Sequence, residues 1–434
     1  MRKSSTLKAM ALAATATLIL GATAACGSSS DSSNAGQTSG ANGTKDTITI
    51  TTFGDFGYDN LIKQWNADPS SPFQVKMTTV SAWDDWKKQM TSELQAGTGL
   101  TDIVAIEGDS MPSFLAPGVS DQFVDMSDPS LDNRWIAYKY AAGKTSDGKL
   151  IGLPTDAGPE GFCYREDLFK KAGLPTDQAS IKADFATWDS YFATGEKYVK
   201  AMPSSKWYDS SGSIAQAMLN QTHFPFQTAD NTVNVNNDEL KSVWNTVTSH
   251  VADLSPKVVQ WGTDWTKNFT DDGFATIPCP GWMLGGNVEK NAPGVTGWRL
   301  ADAFPGGGGN WGGSFLSVPQ TSQHQAEAVQ FAKWLTDKDQ EVAAFKAAGA
   351  FPSNIAAEQE ISSEGKKDPY FGNENTAQIL TDRAKHVDPT LPYKGDKYSD
   401  ILGLFQTAIQ RVDSGGNPTD SWNTFVQAVG QLSD

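Results

Sequence analysis

The sequence predicts an α/β fold built on parallel strands with helices between them. Residues 45–53 indicate a strand because β-branched residues alternate in the run Thr-Ile-Thr-Ile-Thr-Thr. Two further strand patterns, at residues 73–80 and 102–106, are separated from it and from each other by amphipathic helical patterns. Strand, helix, strand, helix, strand is the order of a parallel α/β sheet. Ligands of such sheets bind where the strands end.

The helices between these strands have defined ends. The first passes through Leu61, Ile62 and Trp65, and the second begins with a capping-box pattern at residues 81–84 and ends at Gly97. Further along the chain, helices are predicted near residues 167–173, 187–200, 210–222, 237–254, 264–271, 398–412 and 418–432, with one long helical region over 325–349, and strands near 149–154, 274–279 and 297–301.

Length and composition narrow the class of protein. The 434 residues suggest two or three domains. The formal net charge of −16 is unsuited to nucleic-acid binding, which needs clustered Lys and Arg. The mean hydropathy is −0.41, and no apolar run of about twenty residues follows the N-terminus, which excludes a polytopic membrane protein. Tryptophan is abundant, with 14 Trp against 10 Tyr, and this excess is the first indication of function.

Residues 1–25 have the layout of a secretory signal peptide. A basic start leads into an apolar stretch that closes on two alanines before Cys26. This arrangement resembles a bacterial lipobox, with Thr23 where Leu is usual, and predicts that Cys26 is lipidated. Residues 26–44 are rich in Gly, Ser, Asn and Thr and predict a flexible linker. The alternatives are a transmembrane helix and an ordinary secreted protein with one odd cysteine.

The two remaining cysteines, Cys163 and Cys279, lie in short strand-like segments. Outside the cytoplasm such a pair can form one structural disulfide, and two buried free thiols are the alternative. Neither cysteine has the spacing of a metal ligand, and the four histidines are scattered singly. The sequence therefore predicts no metal and no cofactor.

A series of short motifs resembles one known family. In chain order they are LQAG and DIV (residues 94–97 and 102–104), DGKLIGLP (147–154), CYREDLFKKAGL (163–174), PGW (280–282), NWGGS (310–314) and FPS (351–353). Their order resembles that of the extracellular sugar-binding lipoproteins of ABC importers, the maltose-binding-like solute-binding family. Each motif is short, so the ordered set carries the resemblance.

The resemblance implies a periplasmic-binding-protein type II-like fold, in which two α/β lobes are joined by a hinge and the ligand cleft lies between them. Lobe 1 would hold residues 45–155 plus about 315–355, and lobe 2 residues 156–314 plus about 356–434. Such a protein captures an oligosaccharide without a chemical step and delivers it to the ABC permease subunits in the membrane. We expect a monomer, lipid-anchored through Cys26 on the extracellular face of the cell membrane.

The candidate ligand-binding residues lie at strand ends and on turns, and their types suit a sugar. Trp and Tyr rings stack on the apolar face of a pyranose, whereas carboxylates and backbone N–H groups pair with its hydroxyls. The candidates are Phe53, Asp55, Tyr58, Trp83, Asp84, Asp109, Asp156, Trp282, Trp311, Gly312, Gly313 and Ser314.

Several candidates have a structural alternative. Trp83 could pack in the core, Asp84 could cap a helix, and Asp156 could form a turn. In the family that the chain resembles, the PGW tryptophan and the NWGGS loop usually face the cleft. The two glycines of that loop would let the backbone approach the ligand closely.

Enzyme motifs are weaker. The string GGGNWG at residues 307–312 fits G-x-G-x-x-G but does not open a helix. Walker A, G-x-S-x-G and H-E-x-x-H strings are missing from the sequence. The prediction is a binding protein that is not an enzyme. The alternatives are a secreted glycoside hydrolase, which needs two carboxylates facing one bond, and a cell-surface lectin.

Overall fold

The structure is a computed structural model that describes residues 45–432. The predicted signal peptide of residues 1–25, the predicted lipidation site Cys26 and the predicted linker of residues 26–44 lie outside the described residues.

The strands and helices of residues 45–432 have the following bounds. The strands are β1 (Thr47–Phe53), β2 (Gln74–Val80), β3 (Ile103–Glu107), β4 (Leu153–Pro154), β5 (Gly161–Arg165), β6 (Lys206–Tyr208), β7 (Phe274–Cys279), β8 (Trp298–Ala301) and β9 (Ser314–Ser317). The helices are α1 (Asp59–Ala67), α2 (Trp83–Ala96), α3 (Met111–Leu115), α4 (Ala137–Ala142), α5 (Glu166–Ala172), α6 (Gln178–Asp184), α7 (Trp188–Ala201), α8 (Ser211–Leu219), α9 (Asp238–Leu254), α10 (Thr263–Asn268), α11 (Gly281–Met283), α12 (Gln325–Leu335), α13 (Lys338–Ala348), α14 (Ile355–Ser363), α15 (Thr376–Ala384), α16 (Tyr398–Asp413) and α17 (Pro418–Val429).

The strands form two sheets, one in each lobe. The first sheet has the order β2-β1-β3-β9-β4, and the second has the order β6-β7-β5-β8. Strands β1, β2 and β3 are parallel, as the sequence predicts. The prediction concerns these three strands, and the others differ: β9 is antiparallel to β3 and β4, β5 is antiparallel to β7 and β8, and β6 is parallel to β7. Both sheets are therefore mixed.

For helix α2, the sequence predicts the C-terminal end correctly and the N-terminal cap wrongly. It ends at Gly97, whose φ of +65° is the left-handed conformation that glycine adopts easily. The capping box predicted at its start is wrong, because the N-cap is Ala82 and makes no side-chain hydrogen bond. Ser81 stands one residue too early for its hydroxyl to take that position.

The single helical region predicted over residues 325–349 is wrong, because two helices occupy it. Helix α12 ends before Thr336, whose hydroxyl donates to the carbonyl oxygen of Ala332 at 2.9 Å. Asp337 then caps α13 by accepting a hydrogen bond from the backbone N–H of Lys338 at 2.8 Å. A Thr-Asp pair thus ends one helix and starts the next, although the apolar pattern continues across it.

Each sheet has its own core. Ile48 and Ile50 of β1 pack with Phe331 of α12 in the first lobe, and Phe162 of β5 packs with Trp207 of β6 in the second. Helix α16 lies against α8, α9 and α17 in the second lobe. Within residues 45–432, no helix has both the length and the apolar character needed to cross a bilayer.

The chain passes between the two sheets from β4 to β5, from β8 to β9 and from α13 to α14. These crossing segments lie side by side. The backbone N–H of Ala157 donates to the carbonyl of Phe351 at 2.9 Å, and that of Trp311 donates to the carbonyl of Gly158 at 2.8 Å. The lobes are therefore connected by a narrow set of hydrogen-bonded segments, which is a suitable construction for a hinge.

A disulfide joins Cys163 of β5 to Cys279 of β7, with 5.4 Å between the two Cα atoms. It lies inside the second sheet, and both cysteines are buried.

Candidate functional site

The first sheet ends in a polar turn at residues 107–110, which we call the polar edge. The Glu107 carboxylate accepts hydrogen bonds from the backbone N–H groups of Asp109 at 2.9 Å and Ser110 at 3.1 Å. Burial raises the pKa of Glu107 to about 8, and the negative charge of Asp109 contributes to this shift. The backbone N–H of Gly108 donates to the carbonyl of Gly313 at 2.8 Å. This hydrogen bond connects the polar edge to the crossing segment before β9.

The polar edge contacts the second lobe through an ion pair. The Lys394 ammonium group pairs with the Asp109 carboxylate, and their side chains are 18 % and 6 % exposed respectively. Beside this pair, the hydroxyls of Ser110 and Ser399 are 2.8 Å apart. Lys394 precedes α16 of the second lobe and Ser399 lies in its first turn, so these contacts run from one lobe to the other.

A second ion pair joins the lobes nearer to solvent. The Lys87 Nζ atom of α2 lies 2.7 Å from a carboxylate oxygen of Asp400, whose side chain is 55 % exposed. Lys87 also donates to the Ser399 hydroxyl at 3.1 Å. Because Asp400 remains hydrated, this pair is expected to contribute less to closure than the buried pair of Lys394 with Asp109.

Three tryptophans from different segments meet at the crossing, and we call them the indole trio: Trp261, Trp282 and Trp311. The ring centroids of Trp282 and Trp311 are 5.3 Å apart, and that of Trp261 lies 6.1 Å from Trp282 and 6.4 Å from Trp311. The indole N–H of Trp282 donates to the carbonyl of Trp311 at 3.0 Å. Trp311 is 8 % exposed, whereas Trp261 is 53 % exposed. The trio therefore runs from the interior to solvent.

The indole trio and the polar edge meet at Gly312. A Cβ atom on this glycine would lie 3.6 Å from Oε1 of Glu107 and 3.7 Å from Nε1 of Trp282. Its φ of +71° is also unfavourable for other residues. The indole nitrogen edge of Trp282 and a carboxyl oxygen of Glu107 thus both lie beside the same glycine.

Asp156 lies at the hinge. One of its carboxylate oxygens accepts from the Thr155 hydroxyl at 2.7 Å and from the backbone N–H of Ser314 at 2.8 Å. Burial raises the pKa of Asp156, and the nearby Lys139 opposes this shift. Burial lowers the pKa of Lys139 to about 8. Asp156 and Ser314 therefore bind each other across two crossing segments.

Gly313 has a packing role at the same place. Its φ is +80°, and a Cβ atom there would clash with the carbonyl oxygen of Asp156 and lie 2.7 Å from the Lys139 ammonium nitrogen. A glycine fits this position because two crossing segments approach each other closely there.

The first-lobe candidates divide into two groups. Phe53 and Trp83 lie at the strand ends with their ring centroids 4.9 Å apart, and the Trp83 indole N–H donates to the Ser110 hydroxyl at 3.0 Å. Both rings are half-buried beside the polar edge. Asp84 is exposed in the first turn of α2 and makes no cap hydrogen bond.

The other two first-lobe candidates lie on the turn after β1. Asp55 is exposed and accepts from the backbone N–H of Gly57 at 2.8 Å, which closes the turn. Tyr58 is buried in the first core, and that burial raises the pKa of its hydroxyl well above the usual value. Its packing favours a core role for this ring, and the role in ligand binding stays a prediction.

Glu160 is a further candidate residue that the sequence reasoning missed, and the charges of Asp109 and Lys394 are close enough to affect its pKa. Its side chain is buried, one oxygen accepts from the Asn220 amide at 3.1 Å, and the other has no hydrogen-bond partner among the described residues. Burial raises its pKa well above the usual range. The available signal was its position, since it follows Pro159 directly at the entry to β5. Among residues 45–432, no three His, Cys, Asp or Glu side chains are arranged to hold a metal ion.

Two α/β lobes, hydrogen-bonded crossing segments and a cluster of rings and carboxylates where the lobes meet define a two-lobed binding protein. The chain belongs to the bacterial extracellular solute-binding protein family, whose model matches residues 60–373.

Known relatives are similar over most of the chain. The arabinooligosaccharide-binding protein of Bacillus subtilis (strain 168) is 22 % identical over 355 residues, which cover 76 % of this chain and 79 % of that protein. The lactose-binding protein of Rhizobium radiobacter is 26 % identical over 381 residues, which cover 82 % of this chain and 86 % of that protein. A crystal structure of an extracellular solute-binding protein of family 1 has 39 % identity and a TM-score of 0.76, covering 88 % of this chain and 98 % of that chain.

Proposed function

We propose that this protein captures an oligosaccharide between its lobes and delivers it to the membrane permease of an ABC importer, without altering the sugar. The observation that carries the proposal is the meeting of the indole trio with the polar edge at Gly312. Flat indoles offer apolar area to the C–H face of a pyranose, and carboxylates accept hydrogen bonds from its hydroxyls. This combination of aromatic surface and convergent polar groups is typical of ligand pockets.

Glu160 adds a second acceptor to the proposed site. Burial favours the protonated form of Glu160, so its partnerless oxygen belongs to a carboxyl group. A buried polar oxygen without a partner is unfavourable, and a sugar hydroxyl would satisfy it. A site with such acceptors would discriminate against analogues that lack the hydroxyls, because the buried oxygens would then stay unpaired.

The relatives support the ligand class. An arabinooligosaccharide-binding protein and a lactose-binding protein are similar to 76 % and 82 % of this chain respectively. Both names state carbohydrate ligands, and neither states a reaction.

We further propose the following organisation of the whole chain. Residues 1–25 direct export, Cys26 carries the lipid anchor at the extracellular face of the membrane, and residues 26–44 are the linker. Lobe 1 would consist of residues 45–155 plus about 315–355, and lobe 2 of 156–314 plus about 356–434. The protein would act as a monomer that closes on its ligand by population shift, since only the closed form makes both sets of contacts.

The test is a saccharide panel. The purified protein is incubated with xylo-, manno-, arabino-, gluco- and galacto-oligosaccharides while thermal unfolding and product formation are both recorded. We expect one series to stabilise the protein by about 2.7 kcal/mol at a hundredfold excess over its Kd, with the sugar recovered intact. Time-dependent cleavage would instead establish a glycoside hydrolase, and no stabilisation by any series would contradict carbohydrate capture.

A further inference from the structure

Trp261 is more exposed than Trp282 and Trp311, the other two members of the indole trio. Few large apolar side chains of the described residues are strongly exposed, and two of them, Val259 and Trp261, are separated by one residue in the loop before α10. An indole ring that is half exposed to water lacks part of the hydrophobic stabilisation that full burial would give it. The remaining face of Trp261 packs on Trp265, with ring centroids 4.9 Å apart.

The backbone at Trp261 is also unusual. Its φ is +68°, a left-handed conformation that is rare for a bulky side chain. The next residue, Gly262, closes a tight turn, because its N–H donates to the carbonyl of Val259 at 3.1 Å and a Cβ atom on it would lie 3.0 Å from that oxygen. Strained positions of this kind persist where the surroundings hold them and are concentrated at functional sites.

The strained turn places the ring beside the other two indoles. Trp261 and Trp282 are inclined by only 38°, with their centroids 6.1 Å apart. The most exposed ring of the indole trio therefore extends the aromatic surface of Trp282 toward solvent.

We infer that Trp261 is a specificity-determining residue that binds the next sugar unit outward from the one at Trp282 and the polar edge. This inference rests on the proposed function and sharpens it, because it assigns preference for chain length to one residue. A ligand that ends at the inner position would not reach the exposed ring, whereas a longer one would stack on it.

The alternative is that Trp261 only covers Trp265. In that case its removal would lower stability and would weaken binding of short and long ligands by the same factor. A position that contacts the outer unit alone changes the ratio of their affinities instead.

The experiment uses calorimetric titration with the series from the panel that stabilises the protein most, in lengths of two, three and four units. Trp261→Asn removes the ring, and Asn tolerates the left-handed backbone. Trp261→Phe retains an aromatic face. Val259→Ala is the matched control, since it changes an equally exposed residue of the same loop outside the trio.

We expect the wild-type affinity to rise about tenfold or more when the outer unit is added, by analogy with stacking on aromatic side chains. Trp261→Asn should abolish that rise while the shortest bound ligand stays within about twofold, and Trp261→Phe should restore part of it. Val259→Ala should behave as wild type. An unchanged length ratio in Trp261→Asn, with wild-type binding intact, overturns this inference alone. A wild-type protein that binds no saccharide of the panel overturns the proposed function and this inference together.

Discussion

The polar edge and the indole trio meet at one glycine, but they respond to different forces. The polar edge consists of carboxylates and hydroxyls whose partners, Lys394 and Ser399, come from the other lobe. Its interactions are directional and depend on charge. The indole trio is apolar and depends on contact area. We therefore expect the polar edge to affect whether the lobes are closed as well as to offer hydrogen-bond acceptors, and the indoles to hold the ligand through contact area.

The largest expected effect comes from breaking the buried ion pair. Lys394→Met would leave the Asp109 carboxylate buried without its cation, a situation that costs about 3–5 kcal/mol in comparable pairs. Opening of the lobes would hydrate Asp109 and relieve this cost. We therefore expect a larger radius of gyration by small-angle X-ray scattering than for the wild type. An identical scattering curve would mean that this pair does not hold the lobes together.

The next effect concerns the indoles. Trp282→Ala removes a ring that neighbours both other members of the trio, and we expect saccharide binding to weaken by about 1–3 kcal/mol, as for stacked bases. Calorimetric titration measures it. Trp422→Ala is the control, since Trp422 is also half-buried but packs on Trp244 in the second lobe core. Equal affinity in Trp282→Ala and wild type would move the site away from the trio.

A pH series distinguishes the two regions more finely. Because burial raises the pKa of Glu107 from 4.5 to about 8, the folded protein retains a proton there that the unfolded chain has lost. The stabilisation is full below about pH 4.5 and falls as the pH rises to about 8, by up to about 1.4 kcal/mol per pH unit.

Glu107→Gln removes this titration and keeps an acceptor oxygen. Urea unfolding of both proteins at pH 5, 6, 7 and 8 should show the stability of the wild type falling relative to the variant. Parallel pH profiles would show that Glu107 titrates normally. Trp282→Ala serves as the comparison, because loss of an indole should shift stability without changing the pH profile.

The smallest effect is expected at the exposed rim. Lys87→Met breaks the pair with the largely hydrated Asp400, and such pairs contribute about 0–1 kcal/mol. Its radius of gyration should therefore stay close to that of the wild type, in contrast to Lys394→Met. If Lys87→Met opened the lobes as far as Lys394→Met does, the exposure of an ion pair would not predict its contribution to closure.

The sequence predicts elements well where the signal is local. The alternation in β1 and the glycine that ends α2 each act within a few residues, and both agree with the structure. The break at Thr336 and Asp337 was missed because the apolar pattern of α12 continues into α13. Strand β9 was missed for another reason: it forms by pairing with β3 and β4, which are distant in the sequence, after the chain returns from the second lobe.

The candidate site shows the same division. Trp282 and Trp311 were predicted from their turns, and the structure brings them together with Trp261, which the sequence reasoning left unassigned. Glu160 has no motif of its own, and its unpaired oxygen becomes visible only when Asn220 is placed beside it.

By itself, the sequence determined the α/β class, the run of short motifs and the supply of indoles and carboxylates, because these depend on residue type and short-range periodicity. Only the tertiary structure decided which of them are neighbours. Lys394 and Asp109 are 285 residues apart in the chain and form an ion pair. Burial and contact between residues so far apart in the chain depend on how the two lobes pack, and local sequence patterns do not predict that packing.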